Sequence, residues 1–144
     1  MNLAFSTEDA VFREEVRTWL AEHAPKEPRP RVGWAMREFD VNWLRERFVS
    51  GWGGITWPVE YGGRGLSLTQ QLIWYEEYAH LGLPGIDSTF VGISHAGPTL
   101  IARATEEQKA HHLPKILSGD AVWCQGFSEP ERSGVATNPR RGGR

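Results

Sequence analysis

The chain has 144 residues, of which 40% are hydrophobic and 24% are charged, and its formal net charge is −2 at pH 7. This length suffices for one folded domain, and no apolar run approaches the roughly 18 residues of a membrane span, which excludes a membrane-spanning class. The small negative charge gives no general attraction for nucleic acid or an anionic membrane surface, so neither is expected as a partner.

The first two helices are predicted from capping residues and apolar spacing. Ser6 and Thr7 precede an acidic turn, and apolar residues then recur on one face until Pro25 ends the helix. Asp40 is expected to cap a second helix that ends at Ser50, just before a glycine suited to a left-handed turn. The apolar stripe of this second helix consists of Val41, Leu44 and Phe48.

Residues 51–65 are predicted to form an ordered loop rather than a helix. The segment combines six glycines with three large aromatic residues, Trp52, Trp57 and Tyr61, whose rings are expected to hold it in place. The glycines follow no strand and no Gly-Lys-Ser/Thr sequence is present, so they are weak evidence for a phosphate-binding loop.

A third helix is expected to begin at Ser67 or Thr69 and to end near Gly82. The spacing of apolar residues predicts which side of it is buried. That predicted face consists of Leu68, Leu72, Tyr75 and Ala79.

The second half of the chain is also predicted to be helical. Two short helices are expected over residues 87–93 and 98–103, and a capping box at Thr105 predicts a last helix with a bend at Pro114. The aromatic run Ala121–Ser128 is the best strand candidate, although no second strand is predicted to pair with it. The elements together predict an all-α bundle that ends in one short strand.

A change of composition divides the chain at residue 128. Residues 1–128 hold 12 Lys+Arg and 16 Asp+Glu, whereas residues 129–144 hold four arginines, two glutamates and few apolar residues. We expect a helical body over 1–128 and a basic, flexible tail over 129–144, because the tail cannot bury enough apolar surface to offset its ordering entropy. The expected core of the body consists of Phe12, Val16, Leu20, Leu44, Phe48, Leu72, Tyr75, Leu100, Leu113 and Ile116.

The reactive side chains form no complete active site. The five histidines are scattered, so no metal site is expected, and Cys124 lies in an apolar run that suggests a small buried residue. Glu76 could be a catalytic carboxylate, although a glutamate held by an arginine is the more common arrangement.

The single cysteine and the absence of a secretory pattern at Met1–Phe5 predict a cytoplasmic location.

A family resemblance rests on seven motifs. In chain order they are Gly51-Trp52, Trp57–Gly65, Glu76-Glu77, Gly97–Leu100, Thr105–Lys109, Leu113–Ile116 and Gly126–Pro130. In this order and at these separations they resemble the N-terminal helical domain of the acyl-CoA dehydrogenases. By that resemblance the chain is a truncated protein, about the first third of the family pattern.

The resemblance implies a function that this chain shares with other domains. Family members carry out FAD-dependent α,β-dehydrogenation of an acyl-CoA thioester, usually as homo- or hetero-oligomers. The catalytic base lies in a C-terminal bundle, so the chain is expected to contain no catalytic residue and to be inactive alone. It is also expected to lack most of the FAD and coenzyme A sites, and so not to retain FAD.

The resemblance also assigns cofactor contacts to three residues. The strand that precedes the Glu-Pro pair would bring Gln125, Phe127 and Ser128 to the flavin ring. After Glu131 the sequence departs from the family pattern, which puts flavin binding by this chain in doubt. The segment Ile86–Thr99 would form part of the wall around the acyl chain.

Two functional classes remain open. The first is a subunit or fragment of an acyl-CoA dehydrogenase. The second is a non-catalytic helical interaction module that binds a homologous subunit through the unpaired strand edge, with Trp123 and Phe127 at its surface. A nucleic-acid contact through the arginines of the tail is a weaker interpretation, because four arginines form a small electrostatic footprint.

Overall fold

The computed structural model describes residues 5–126. Its α-helices are α1 (Thr7–His23), α2 (Gly33–Val49), α3 (Leu68–His80), α4 (Gly97–Arg103) and α5 (Glu106–Leu117). A 3₁₀ turn spans Val59–Tyr61, and a π-helix, Val91–Ala96, runs directly into α4. No strand occurs within these residues, and the all-α prediction is confirmed. The predicted domain boundary at 128 and the tail at 129–144 lie outside the described residues.

The predicted strand is wrong over the part of it that the structure describes. Residues 121–126 have no regular secondary structure, because no extended segment within 5–126 lies beside them to form a sheet. Trp123 is instead partly buried, and its ring meets that of His112 edge to face at 5.5 Å. Cys124, expected to be buried, is exposed because it lies beyond the last helix.

The predicted cap of α5 is confirmed, and of the two candidates for each of α1 and α3 the structure selects the first. In each, the cap side chain accepts a hydrogen bond from the backbone N–H three residues later, and that residue's side chain accepts one from the cap's own N–H. The pairs are Ser6 with Asp9, Ser67 with Gln70, and Thr105 with Gln108. Local hydrogen bonds thus fix where α1, α3 and α5 begin.

Asp40 does not cap α2, which begins well before it at Gly33. The residue lies inside the helix and is 3% exposed. Its carboxylate accepts hydrogen bonds of 2.6 and 2.7 Å from Arg29 and one of 3.1 Å from the backbone N–H of Ser88. Asp40 therefore ties two loops to the middle of α2, a role that requires acceptors at a buried position rather than at a helix end.

The buried face of α3 is not the predicted one. The apolar residues expected to be buried, Leu68, Leu72 and Tyr75, are 83%, 52% and 53% exposed, and Ala79 is also exposed. The buried residues are Ile73, Trp74 and Glu77. Both sides of α3 carry apolar residues. Packing against α1 buries the side that holds the large indole of Trp74 and the carboxylate of Glu77, to which arginines of α1 donate hydrogen bonds.

The core consists of two hydrophobic clusters. The first joins α1, α2 and α3 around Trp52 and consists of Phe12, Val16, Leu20, Trp43, Trp52, Ile55, Ile73 and Trp74. The second surrounds Trp57 and consists of Leu44, Trp57, Ile93, Leu113, Ile116 and Leu117. The expectation that aromatic rings hold the glycine-rich loop is confirmed at Trp52 and Trp57. Phe48 and Leu100 pack on the second cluster as partly buried residues.

Candidate functional site

A cavity of about 330 Å³ lies where α3, the loop after it and the π-helix meet the glycine-rich loop. Three isoleucines, Ile55, Ile86 and Ile93, contribute apolar surface to it. Hydroxyl-bearing residues also line it, namely Thr56, Tyr75, Tyr78 and Ser94. The volume lies at the lower end of the range of small-molecule pockets. The segment 86–99, predicted to form a wall around an acyl chain, supplies several of these residues.

The π-helix that forms one wall of the cavity is held in place by tight packing. The indole N–H of Trp57 donates a 2.9 Å hydrogen bond to the carbonyl of Ile93. A Cβ added at Gly92 would lie 3.1 Å from Ile116, so α5 packs closely on the π-helix backbone. Single π-helical turns are rare and occur often at functional sites. The short helix predicted over 87–93 begins later than expected, because residues 87–89 form a turn and helical structure starts at residue 90.

Arg47 of α2 is the one charged residue among those that line the cavity. It is 5% exposed, and its guanidinium carbon lies 5.6 Å from the ring centroid of Trp43. Burial lowers the pKa of Arg47 from its ordinary value. A guanidinium nevertheless stays charged in a protein at neutral pH. The cavity is thus apolar over much of its surface and positive at one point.

Tyr78 supplies a neutral hydroxyl to the same wall. Its oxygen accepts a 2.6 Å hydrogen bond from the indole N–H of Trp43 and donates one of 2.8 Å to the carbonyl of Pro84. Burial raises the pKa of Tyr78, so the phenol stays protonated at neutral pH. These two bonds fix the loop that follows α3 against α2.

Of the three predicted flavin contacts, only Gln125 lies within the described residues. Its side chain is exposed, and its amide nitrogen lies 2.8 Å from Nδ1 of His95 on the π-helix. Phe127 and Ser128 lie outside the described residues. The described part of the chain thus presents one of these three contacts, an exposed amide held against His95, and does not form a flavin site by itself.

Glu76 and its neighbour Glu77 belong to an ion-pair network rather than to a reactive pair. Glu76 accepts a 2.7 Å hydrogen bond from Arg13, the arrangement expected as the alternative to catalysis. Glu77 is buried and accepts bonds from Arg13 and from Nε of Arg17, the latter at 2.7 Å. Burial raises the pKa of Glu77, but the two arginines outweigh that effect and leave it lowered, so this carboxylate stays ionised.

Histidines do not assemble into a metal site in the part of the chain that the structure describes. Within residues 5–126 no three His, Cys, Asp or Glu side chains lie close enough together to hold a metal ion. His111 and His112 meet edge to face at 4.8 Å, and Nε2 of His111 lies 3.0 Å from the Lys115 ammonium.

None of the helices described is long and apolar enough to cross a membrane.

The sequence reasoning missed Arg47. A signal for it was present, because Asp40, Trp43, Leu44 and Arg47 occupy positions i, i+3, i+4 and i+7, which lie on one side of a helix. The predicted stripe was limited to apolar residues and so omitted both charged positions of that side. Of the predicted stripe, Val41 and Leu44 are buried, whereas Phe48 is only partly buried.

Comparison with protein families gives one match over most of the chain. The family described as "Acyl-CoA dehydrogenase, N-terminal domain" matches residues 6–120. The acyl-CoA dehydrogenase IpdE1 of Mycolicibacterium smegmatis is 39% identical over 134 residues, which are 88% of this chain and 34% of that protein. The mitochondrial isovaleryl-CoA dehydrogenase of Solanum tuberosum is 39% identical over 139 residues, which are 90% of this chain and 31% of that protein.

Solved structures show the same similarity. One, described as the Tcur3481-Tcur3483 steroid ACAD, superposes with a TM-score of 0.70 at 36% identity and covers 92% of this chain and 34% of that one. The ChsE4-ChsE5 complex from Mycobacterium tuberculosis gives a TM-score of 0.68 at 31% identity over 90% of this chain and 32% of that one. The chain spans about a third of the length of the curated relatives named above.

Proposed function

The chain belongs to the acyl-CoA dehydrogenase family, and from this membership we propose that it forms the N-terminal helical domain of an enzyme that desaturates an acyl-CoA thioester between its α and β carbons. The observation that supports this role is the cavity beside the π-helix. It lies at the segment 86–99, which was expected to surround the acyl chain, and its isoleucines suit a hydrocarbon. In this role the domain binds and orients the substrate and excludes water from it.

Other parts of the reaction belong to the regions of the relatives that lie outside the matched third. We assign to them the base that removes the α proton, most contacts to coenzyme A and most contacts to FAD. The partial match supports this assignment, because the chain spans about a third of the length of the relatives named above. A helical domain over 1–128 and a basic tail over 129–144 remain part of the proposal.

Two experiments test this function. The purified chain should be colourless and should reduce no dye with acyl-CoA thioesters; a stoichiometric yellow flavin would contradict this. Next, residues 5–126 should replace the matching segment of the IpdE1 relative. The chimera should bind FAD and oxidise an acyl-CoA, whereas IpdE1 with that segment deleted, the control, should not. A chimera that retains FAD but oxidises no acyl-CoA would contradict the proposed role.

A second candidate function is a module that binds a homologous subunit. The observation that favours it is the exposed apolar stripe of Leu68, Leu72 and Tyr75 along α3, because large apolar patches often mark interaction sites. One similar structure is itself described as a complex. The earlier hypothesis placed this surface at Trp123 and Phe127, but Trp123 is partly buried and Phe127 lies outside the described residues.

Sedimentation distinguishes this second function. The wild-type chain should associate with itself or with a relative's subunit, and Leu72→Glu should weaken that association at least tenfold. Val11→Glu is the matched control, because Val11 is also an exposed apolar residue, 67% exposed, but belongs to α1 and not to the stripe. Equal association of all three proteins, or a monomeric wild type at high concentration with every partner offered, would exclude the α3 surface.

A further inference from the structure

Apart from the ring of Trp43, Arg47 is a buried charge without an acidic or hydrogen-bonding partner in the part of the chain that the structure describes. Its Nε atom is buried and has no hydrogen-bond partner there. None of the ion pairs formed within residues 5–126 includes it. Buried polar groups in proteins are nearly always hydrogen-bonded, and buried charges are nearly always paired. An unpaired guanidinium at this depth therefore calls for a partner that comes from outside these residues.

The neighbouring carboxylate cannot serve as that partner. Asp40 lies about two turns before Arg47 on the same helix and acts on it electrostatically. Its two oxygens already accept hydrogen bonds from Arg29 and from the backbone N–H of Ser88. The positive charge of Arg47 is thus left for another group, and the cavity is the space in which that group can lie.

The surroundings of Arg47 define the chemistry of this group. Carboxylates match the planar donor arrangement of a guanidinium, which can give them two parallel hydrogen bonds. The three isoleucines of the cavity, Ile55, Ile86 and Ile93, offer apolar surface near that charge. No acidic residue lines the cavity to repel an anion. A ligand that fits both features carries a carboxylate at the end of a hydrocarbon body.

We propose that this cavity binds an apolar organic acid, with the carboxylate on Arg47 and the hydrocarbon against Ile55, Ile86 and Ile93. The ligand is either a free organic acid or an acyl-CoA thioester whose far end carries a second carboxylate. Only the second identity rests on the proposed function, and in that case the enzyme selects acid-tailed substrates. Arg47 then determines specificity at the end of the acyl chain opposite the thioester.

Titration of the purified 144-residue chain tests the binding itself. Isothermal titration calorimetry should show that octanoate binds at least tenfold more tightly than octanamide, which has the same chain without the charge. Arg47→Met should reduce octanoate affinity at least tenfold and leave octanamide unchanged. Arg45→Met is the matched control, because Arg45 is an exposed arginine on the same helix that pairs with Asp120, and it should bind octanoate like the wild type. Equal binding of octanoate and octanamide, or an octanoate affinity that Arg47→Met leaves intact, would overturn the proposal.

Thermal melting of the same variants separates a binding role from a structural one. An unpaired buried charge destabilises a fold, so Arg47→Met without ligand should melt at or above the wild-type temperature. Octanoate should raise the melting temperature of the wild type and not that of the variant. A variant that melts far below the wild type would show that another carboxylate of the protein already pairs with Arg47, and this would also overturn the proposal.

The chimera with IpdE1 distinguishes the two sources of the acid. If the ligand is a substrate, the thioester of octanedioic acid should have at least a tenfold lower KM than octanoyl-CoA, and Arg47→Met should remove this preference. If octanoate binds the chain but the chimera shows no such preference, the ligand is a free organic acid. If octanoate binds and the chimera is inactive, the proposed function fails while the acid site stands.

Discussion

Replacing Gly97 with alanine should destabilise the protein even though alanine favours helices. Gly97 is the first residue of α4 and is buried. A Cβ built on it would lie 2.8 Å from Cε2 of Trp57 and closer still to two other atoms of the six-membered ring. That ring cannot simply move away, because Trp57 is 1% exposed and its indole N–H bonds to the carbonyl of Ile93.

The opposing free energies at Gly97 can be compared. Alanine gains about 1 kcal/mol over glycine in a helix. Overpacking of a rigid core site costs about 1–3 kcal/mol. Loss of the indole hydrogen bond adds about 0.5–1.5 kcal/mol. The free energy of unfolding should therefore fall by between about 0.5 and 3.5 kcal/mol.

Urea denaturation followed by circular dichroism measures this change, and a double-mutant cycle identifies its cause. Trp57→Phe removes ring atoms that the new methyl group meets, so in that background the cost of Gly97→Ala should shrink by at least about 1 kcal/mol. Gly126→Ala is the control, since a Cβ there meets nothing within 4 Å and should change stability by less than about 0.5 kcal/mol. An equal cost in both backgrounds, or stabilisation of the wild type by Gly97→Ala, would refute the packing explanation.

Three further outcomes can be measured with the same denaturation assay. Ile73→Ala should lower the free energy of unfolding by about 2–5 kcal/mol, whereas Leu72→Ala, on the exposed side of α3, should lower it by less than about 1 kcal/mol. The reverse order would mean that the Leu72 side of α3 is the buried one, as the sequence predicts. Burial raises the pKa of Asp40, but hydrogen bonds led by those from Arg29 leave it below its ordinary value of 3.8, so its contribution is present above that value and is lost as the pH falls through the folded pKa. Asp40→Asn should cost about 1–3 kcal/mol at neutral pH and make stability less pH-dependent below pH 4; a variant with an unchanged acid transition would contradict this pairing. Thr105→Ala should cost about 1 kcal/mol by removing the cap of α5, and no loss would mean that the box contributes nothing.

Features determined by neighbouring residues were predictable from the sequence. The boxes at Ser6, Ser67 and Thr105 need only residues within one turn, so three helix starts could be predicted to within two residues without any tertiary information. The helical class and the packing role of Trp52 and Trp57 followed from composition and spacing for the same reason.

Features determined by distant partners were not predictable. Leu72 and Ile73 are adjacent apolar residues, and the contact of α3 with α1 decides which of them is buried. Asp40 has the residue type of a helix cap, but Arg29 and Ser88 make it a buried acceptor. The family resemblance predicted that the segment around Ile86 and Ile93 contributes to the candidate site. It did not predict the charge that Arg47 places there.

The first cluster also gives the protein an internal optical probe. Its three tryptophans, Trp43, Trp52 and Trp74, lie close to Trp19 of α1, which packs against the cluster, and the Trp52 and Trp74 rings stack at 4.7 Å with an angle of 17°. Indoles this close couple their electronic transitions, so the near-ultraviolet circular dichroism depends on their mutual orientation. Because that signal disappears when fixed side-chain packing is lost even if helices persist, one spectrum reports whether α1, α2, the glycine-rich loop and α3 are assembled together.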